Sequence, residues 1–194
     1  MMTAPLQSRQ KLIPNAVLGM TLFLFTETMI FCGLVGGYLV LRGQTMGLWP
    51  PADQPVLPVL FTAFNTVLLC LSGVTIWFSL TALRNGNTLR AKRLLVATLI
   101  LGGSFLLLQG NEWVALLSHG LTVSSSIYGG FFYTIVGCHA LHVIAALAAL
   151  GWIFTRFLRG AYNANKMDGL LAMRMYWLFV VGVWPPLYIL VYLW

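Results

Sequence analysis

Five apolar runs, each about 24 to 28 residues long, fill the chain between residues 17 and 194, and each can cross a hydrocarbon layer about 30 Å thick as an α-helix. A backbone inside that layer has no water to bond, so a single spanning segment must satisfy its own N–H and C=O groups, and only a helix does so. The pattern predicts an all-α integral membrane bundle of five transmembrane helices. The 8% charged residues agree, since soluble domains carry about 25%. Only short connectors remain between the runs. Residues 1–14 therefore read as a tail and residues 15–194 as one membrane domain.

The basic residues divide sharply between the two sides. Arg9, Lys11, Arg84, Arg90, Lys92, Arg93, Arg156, Arg159, Lys166 and Arg174 share one side, and Arg42 alone takes the other. By the positive-inside rule the N-terminus is cytoplasmic and the C-terminus outside. Four or six spans would put a basic loop on the wrong side. The same distribution explains the formal charge of +7 without nucleic acid, because the cations flank apolar spans rather than forming an exposed polar surface. Cys32, Cys70 and Cys138 fall in three different runs with no C-x-x-C spacing and read as buried thiols. No short apolar stretch with a small-residue cleavage site follows the N-terminal basic residues, so the first run is expected to stay as a span.

The runs are expected at about residues 17–41, 56–83, 94–117, 128–155 and 170–194. In the first, Gly33 and Gly37 give a small-x-x-x-small face suited to close helix packing. Pro50, Pro51, Pro55 and Pro58 make the following connector an interfacial loop. The second run carries Asn65, Thr66, Ser72 and Thr75, which can bond backbone or neighbouring helices. The stretch RNGNTLRAKR reads as a basic hairpin turn around Asn85 and Gly86. His119 is the single titratable group of the small polar loop after the third run. The fifth run is interrupted by Pro185 and Pro186, and its Trp and Tyr residues suit an interfacial belt.

Four ionisable groups lie within spans: Glu27, Glu112, His139 and His142. Such groups are expensive in lipid and face protein, water or a ligand. Gln109 and Glu112, at i and i+3, share a helix face. His139 and His142 lie one turn apart, so a metal site would need a third and fourth ligand at their depth, with Glu112 the one carboxylate near His139. Bis-histidine haem ligation needs opposed helices, whereas both deep histidines share one. No phosphate-binding loop, nucleophile elbow or catalytic carboxylate pair occurs. The residues thus point to a buried polar network without catalytic or metal-binding residues of its own. Proton relay, lipid-headgroup contact, helix association and a stand-alone proton-coupled transporter all stay open.

The run QGNEWVALLSHGLTVSSSIYGGFFYTIVGCHALHV resembles the central signature of subunit III of the haem-copper cytochrome c and quinol oxidases, in which Q-x-x-E-[YW] precedes Y-G-x-x-F-F-x-x-x-G-x-H-x-L-H-V. FTETMIFCGLVGGYLVLR resembles the family's first shared helix, with Glu27 at its buried acid. LFTAFNTVLLCLSGVTI resembles its N-T-x-x-L-x-x-S-G-x-T helix, and YWLFVVGVWPPLYILVYLW its terminal helix. The five-helix length is similar to the short bacterial form. Gly130 and Ala140 are mild departures. Leu178 and Val181 stand where the terminal helix usually has His and Asp, which brings a subunit III-like accessory protein of nitric oxide reductase into view. The resemblance implies an accessory subunit in the bacterial inner membrane that binds no haem or copper itself and packs on the catalytic subunit I, which carries both. It also implies that the chain holds structural phospholipids and supports proton uptake and durability in turnover. Glu27, Gln109, Glu112, His139 and His142 would then be its network or lipid-contacting residues.

Overall fold

The computed structural model describes residues 14–44, 55, 57–162 and 167–194. The N-terminal tail with Arg9 and Lys11, most of the proline-rich connector with Pro50 and Pro51, and Lys166 lie outside the described residues. The elements are α1 (Asn15–Gln44), α2 (Val59–Arg84), α3 (Thr88–Ser118), α4 (Ile127–Leu158) and α5 (Asp168–Tyr188), which a π-helical turn, Ile189–Leu193, continues. Among the described residues five helices are long and apolar enough to cross a membrane, and no strand occurs.

The hairpin between α2 and α3 turns tightly at Asn85 and Gly86 as the sequence implies, but α3 begins at Thr88 rather than at about residue 94. Only residues 85–87 lie outside the helices, and Arg90, Lys92 and Arg93 belong to the first turns of α3. The 31 residues of α3 rise ~46 Å, more than a hydrocarbon core of about 30 Å requires, so the helix is long enough for its basic first turns to extend beyond such a core. Gly86, at φ 75°, closes α2. Its N–H donates to Leu83 O and the Asn87 N–H to Ala82 O, the paired bonds that satisfy a helix's last carbonyls and need a left-handed residue. The Asn87 side chain then accepts from the Arg90 N–H at 3.0 Å and starts α3. At α4, Ser126 does the same for the Gly129 N–H at 2.9 Å.

α5 is the axis of the bundle. It packs on α1, α2 and α4, while α2 also packs on α3, and α4 on α1 and α3. Half of its span is buried, against 6% for α1, which turns most of its apolar surface outward. Trp177 and Trp184, seven residues apart on one face and fully buried, fasten α5 to α2. Their indole N–H groups donate to Ser72 Oγ at 3.0 Å and Thr66 Oγ1 at 2.9 Å. The Tyr188 hydroxyl adds a bond to Val59 O at 3.0 Å. The aromatics of the fifth run are thus chiefly a helix-packing seam rather than an interfacial belt, because each indole finds an α2 acceptor at its own depth. Trp194 alone among these tryptophans is exposed, with the Arg42 guanidinium 4.0 Å from its ring centroid.

Pro185 and Pro186 do not interrupt the helix as expected. α5 runs through them to Tyr188 and then widens, with the Trp194 N–H reaching back to Ile189 O. Buried side chains hold this stretch in place, and the widened turn sets Tyr192 into the bundle. Of the expected small-residue face on α1, Gly37 meets Phe131 of α4, where a Cβ would lie 3.1 Å from the ring, whereas Gly33 has nothing within 4 Å.

Candidate functional site

The sequence places four ionisable groups in the spans, and the structure sorts them into three surroundings. The first joins α1 to α4. His142 Nε2 and Glu27 Oε2 lie 2.8 Å apart, and the two side chains are 16% and 13% exposed. His142 Nδ1 lies 2.7 Å from Cys138 O, one turn back. A carbonyl only accepts, so Nδ1 carries a hydrogen and the tautomer is fixed. One proton is then shared across the Nε2–Oε2 contact, as imidazolium with carboxylate or as imidazole with carboxylic acid. The pair is neutral overall either way, which is how an acid and a base can coexist at this depth. Phe31 covers the histidine with ring centroids 5.2 Å apart.

The second surrounding joins α2, α3 and the π-helical turn. Glu112 Oε1 accepts from the Tyr192 hydroxyl at 2.7 Å, and its Oε2 lies 2.8 Å from Thr62 Oγ1. Gln109 Nε2 donates to the Tyr192 oxygen at 3.3 Å, and Asn65 Nδ2 donates to Gln109 Oε1 at 3.3 Å and to Phe105 O at 3.2 Å. Thr62, Asn65, Gln109, Glu112 and Tyr192 are all buried. The Asn65–Gln109–Tyr192 donors run in one direction and converge on the carboxylate, so each bond polarises the next. On its other side Glu112 lines a cavity of about 580 Å³ shared with Pro55, Pro58, Phe61 and His119.

His139 occupies the third surrounding and is 1% exposed. Its ring stacks on Trp184 at 4.8 Å, with Phe105 and Phe31 edge-on at 6.2 and 6.4 Å. Neither ring nitrogen has a hydrogen-bond partner among the described residues. One helical turn therefore separates two histidines with different surroundings: His142 meets a carboxylate and His139 an aromatic box.

Gln109 and Glu112 do share one network, as their spacing implies, but neither histidine joins it. Among the described residues no three His, Cys, Asp or Glu side chains gather closely enough to hold a metal ion. Sequence reasoning missed Thr62 and Tyr192, the two direct partners of Glu112. A threonine one turn inside a proline-started helix gave little signal, and Tyr192 reaches the site only through the π-helical turn.

A profile of the family described as cytochrome c oxidase subunit III matches residues 10–194. The chain belongs to this family. It is 33% identical over 184 residues to the probable cytochrome c oxidase subunit 3 of Mycobacterium leprae, covering 92% of this chain and 88% of that protein. Cytochrome c oxidase subunit 3 of Corynebacterium diphtheriae is 32% identical over 182 residues, with the same shares covered. That of Lemur catta is 34% identical over 181 residues, covering 91% of this chain but 65% of the longer lemur protein. Leu178 and Val181, where the resemblance leads one to expect His and Asp, face α2. A Cβ on Gly73 of α2 would lie 3.1 Å from Val181 Cγ1 and 3.6 Å from Leu178 Cδ2, so both side chains serve helix packing.

Proposed function

We propose that this subunit III is the non-redox accessory subunit of a bacterial haem-copper terminal oxidase, packed against catalytic subunit I in the inner membrane. Haem and copper reside in that partner, and structural phospholipids lie between helices. The family match across residues 10–194 carries the reading. Internal geometry supports it: Glu27, His142, Gln109 and Glu112 are all engaged with partners inside the chain. The ten-to-one division of basic residues supports a cytoplasmic N-terminus and an external C-terminus. Leu178 and Val181 favour a second reading, an accessory protein of nitric oxide reductase, which the identity of the copurifying catalytic subunit separates from the first.

The test is to prepare the oxidase with and without this chain. Without it the enzyme should keep its haem and copper content and its initial rate, and lose activity sooner during prolonged turnover. Loss of a stoichiometric haem or copper from the complex would place a redox centre on this chain and contradict the proposal. Within the chain, Glu27 is the proposed proton-handling group, since one proton is already shared with His142. Glu27→Gln can keep a hydrogen bond to the imidazole but cannot release a proton. It should assemble normally and shorten the turnover lifetime or slow proton uptake. An oxidase indistinguishable from the parent over prolonged turnover assigns Glu27 to packing alone.

A further inference from the structure

The cavity beside Glu112 lies at the end of the bundle away from the basic hairpin, where α2 begins and α3 ends. Pro58, Phe61, Ala115 and Leu116 make its wall largely apolar, and Glu112, 4% exposed, is the acid among its lining residues. No cation pairs with Glu112 among the described residues. The titratable groups around it are Tyr192, Tyr188 and, at the far end of the cavity, His119. A buried carboxylate without a counter-ion is costly, so the acid either keeps its proton or takes a cation from the cavity. The Thr62 hydroxyl suits both states. It has one hydrogen and two acceptors in reach, Pro58 O at 3.1 Å and Glu112 Oε2 at 2.8 Å. With its hydrogen on Pro58 O, the hydroxyl oxygen accepts from a protonated Glu112; with its hydrogen on Oε2, it serves an ionised one.

We propose that this cavity binds a small organic primary ammonium ion with an apolar body, which replaces the proton of Glu112. The acid releases H⁺ to water, the ammonium N–H takes its place on the carboxylate, and the Thr62 hydrogen turns from Pro58 O to Oε2. The buried charge is zero before and after. Tyr192 donates to Oε1 throughout. A carboxylate has about four lone-pair positions, so Tyr192 and Thr62 leave space for a further donor. The wall sets the ligand class. A metal ion needs a cage of ligands, and no three His, Cys, Asp or Glu side chains gather to hold one among the described residues. An alkyl or aryl body instead fits against Phe61 and Leu116, and about 580 Å³ lies within the roughly 300 to 1,000 Å³ of small-ligand sites. An ethanolamine headgroup carries the same ammonium but brings a phosphate, and no basic side chain lines the cavity to receive it. The inference goes beyond the oxidase reading and stands without it, because every group it uses belongs to this chain.

The full chain, purified with whatever partners it brings, would be titrated with benzylammonium chloride in phosphatidylcholine nanodiscs, at ionic strength held constant with sodium chloride. Calorimetry reads binding, and a pH indicator in weak buffer reads protons. The parent should bind one benzylammonium, release up to one proton with it, and bind more weakly as pH falls, since both cations compete for one carboxylate. Glu112→Gln should bind about 30-fold more weakly and release no proton. Ala115→Phe tests shape independently: Ala115 is an exposed residue of the cavity wall, so the ring can fill the cavity while the acid stays in place. It should weaken binding about tenfold, and thermal unfolding checks that both variants remain folded. Binding without proton release at any pH, unchanged affinity in either folded variant, equal competition by sodium, or displacement of benzylammonium by phosphatidylethanolamine in the nanodisc would overturn the proposal.

Discussion

Glu112→Ala is expected to destabilise the detergent-solubilised chain by about 2 kcal/mol, read as a lowered thermal midpoint. The carboxylate is the acceptor for Tyr192 and the neighbour of Thr62. Removing it strands the tyrosine hydroxyl among apolar groups and leaves Gln109 bonded to a phenol with nowhere to donate. An average interhelical hydrogen bond in a membrane contributes only about 0.6 kcal/mol. The larger figure follows because the loss is of an acceptor, and an unmade buried bond costs more than a made one contributes. Water entering from the adjoining cavity limits the loss. Tyr192→Phe should cost less, about 1 kcal/mol, and less again in the Glu112→Ala background, where the Tyr192–Glu112 bond is already gone and only the Gln109 bond to the phenol oxygen is left to lose. Additive losses would mean that Glu112 and Tyr192 are not coupled.

Gly102→Ala is expected to be at least as damaging, by about 2 to 3 kcal/mol, although it adds a single methyl group. A Cβ at that position would lie 2.5 Å from Trp177 Cη2 and 2.6 Å from Cζ2. Trp177 cannot yield easily, because it is fully buried and its indole N–H is held by Ser72. Either the indole leaves its hydrogen bond or α3 moves away from α5. The compensating variant is Trp177→Phe, which lacks the two offending atoms. Trp177→Phe alone loses a bond and leaves a cavity, but combined with Gly102→Ala the methyl fills part of that space. The double variant should therefore be more stable than the sum of the single losses implies. A neutral Gly102→Ala would show that α3 and α5 do not approach as closely here.

The bundle itself was legible, because the period of apolar runs and basic connectors follows from the bilayer and not from side-chain detail. Helix ends were less so: Arg90, Lys92 and Arg93 look like loop residues, yet they lie in a helix longer than a hydrocarbon core requires. Glycines after Leu158 and Ser118 carried a usable stop signal, since Gly160 and Gly120 close their helices at φ 75° and 91° as Gly86 does. The buried acids and histidines could be named from the sequence but not paired. Spacing puts His139 and His142 one turn apart, while only the angle at which α4 meets α1, α3 and α5 decides that one faces Glu27 and the other Trp184. Tyr192 was hidden for a further reason: Pro185 and Pro186 suggest a break, whereas the packed helix continues and widens, bringing a residue near the C-terminus onto Glu112.

The most direct measurement is the set of proteins that leave the membrane with this chain. Affinity purification in mild detergent should bring a large subunit with haem-copper oxidase absorption bands, in one-to-one ratio and with the haem assigned entirely to that partner. Purification of the chain alone, or with haem bound to its own helices, would contradict the account.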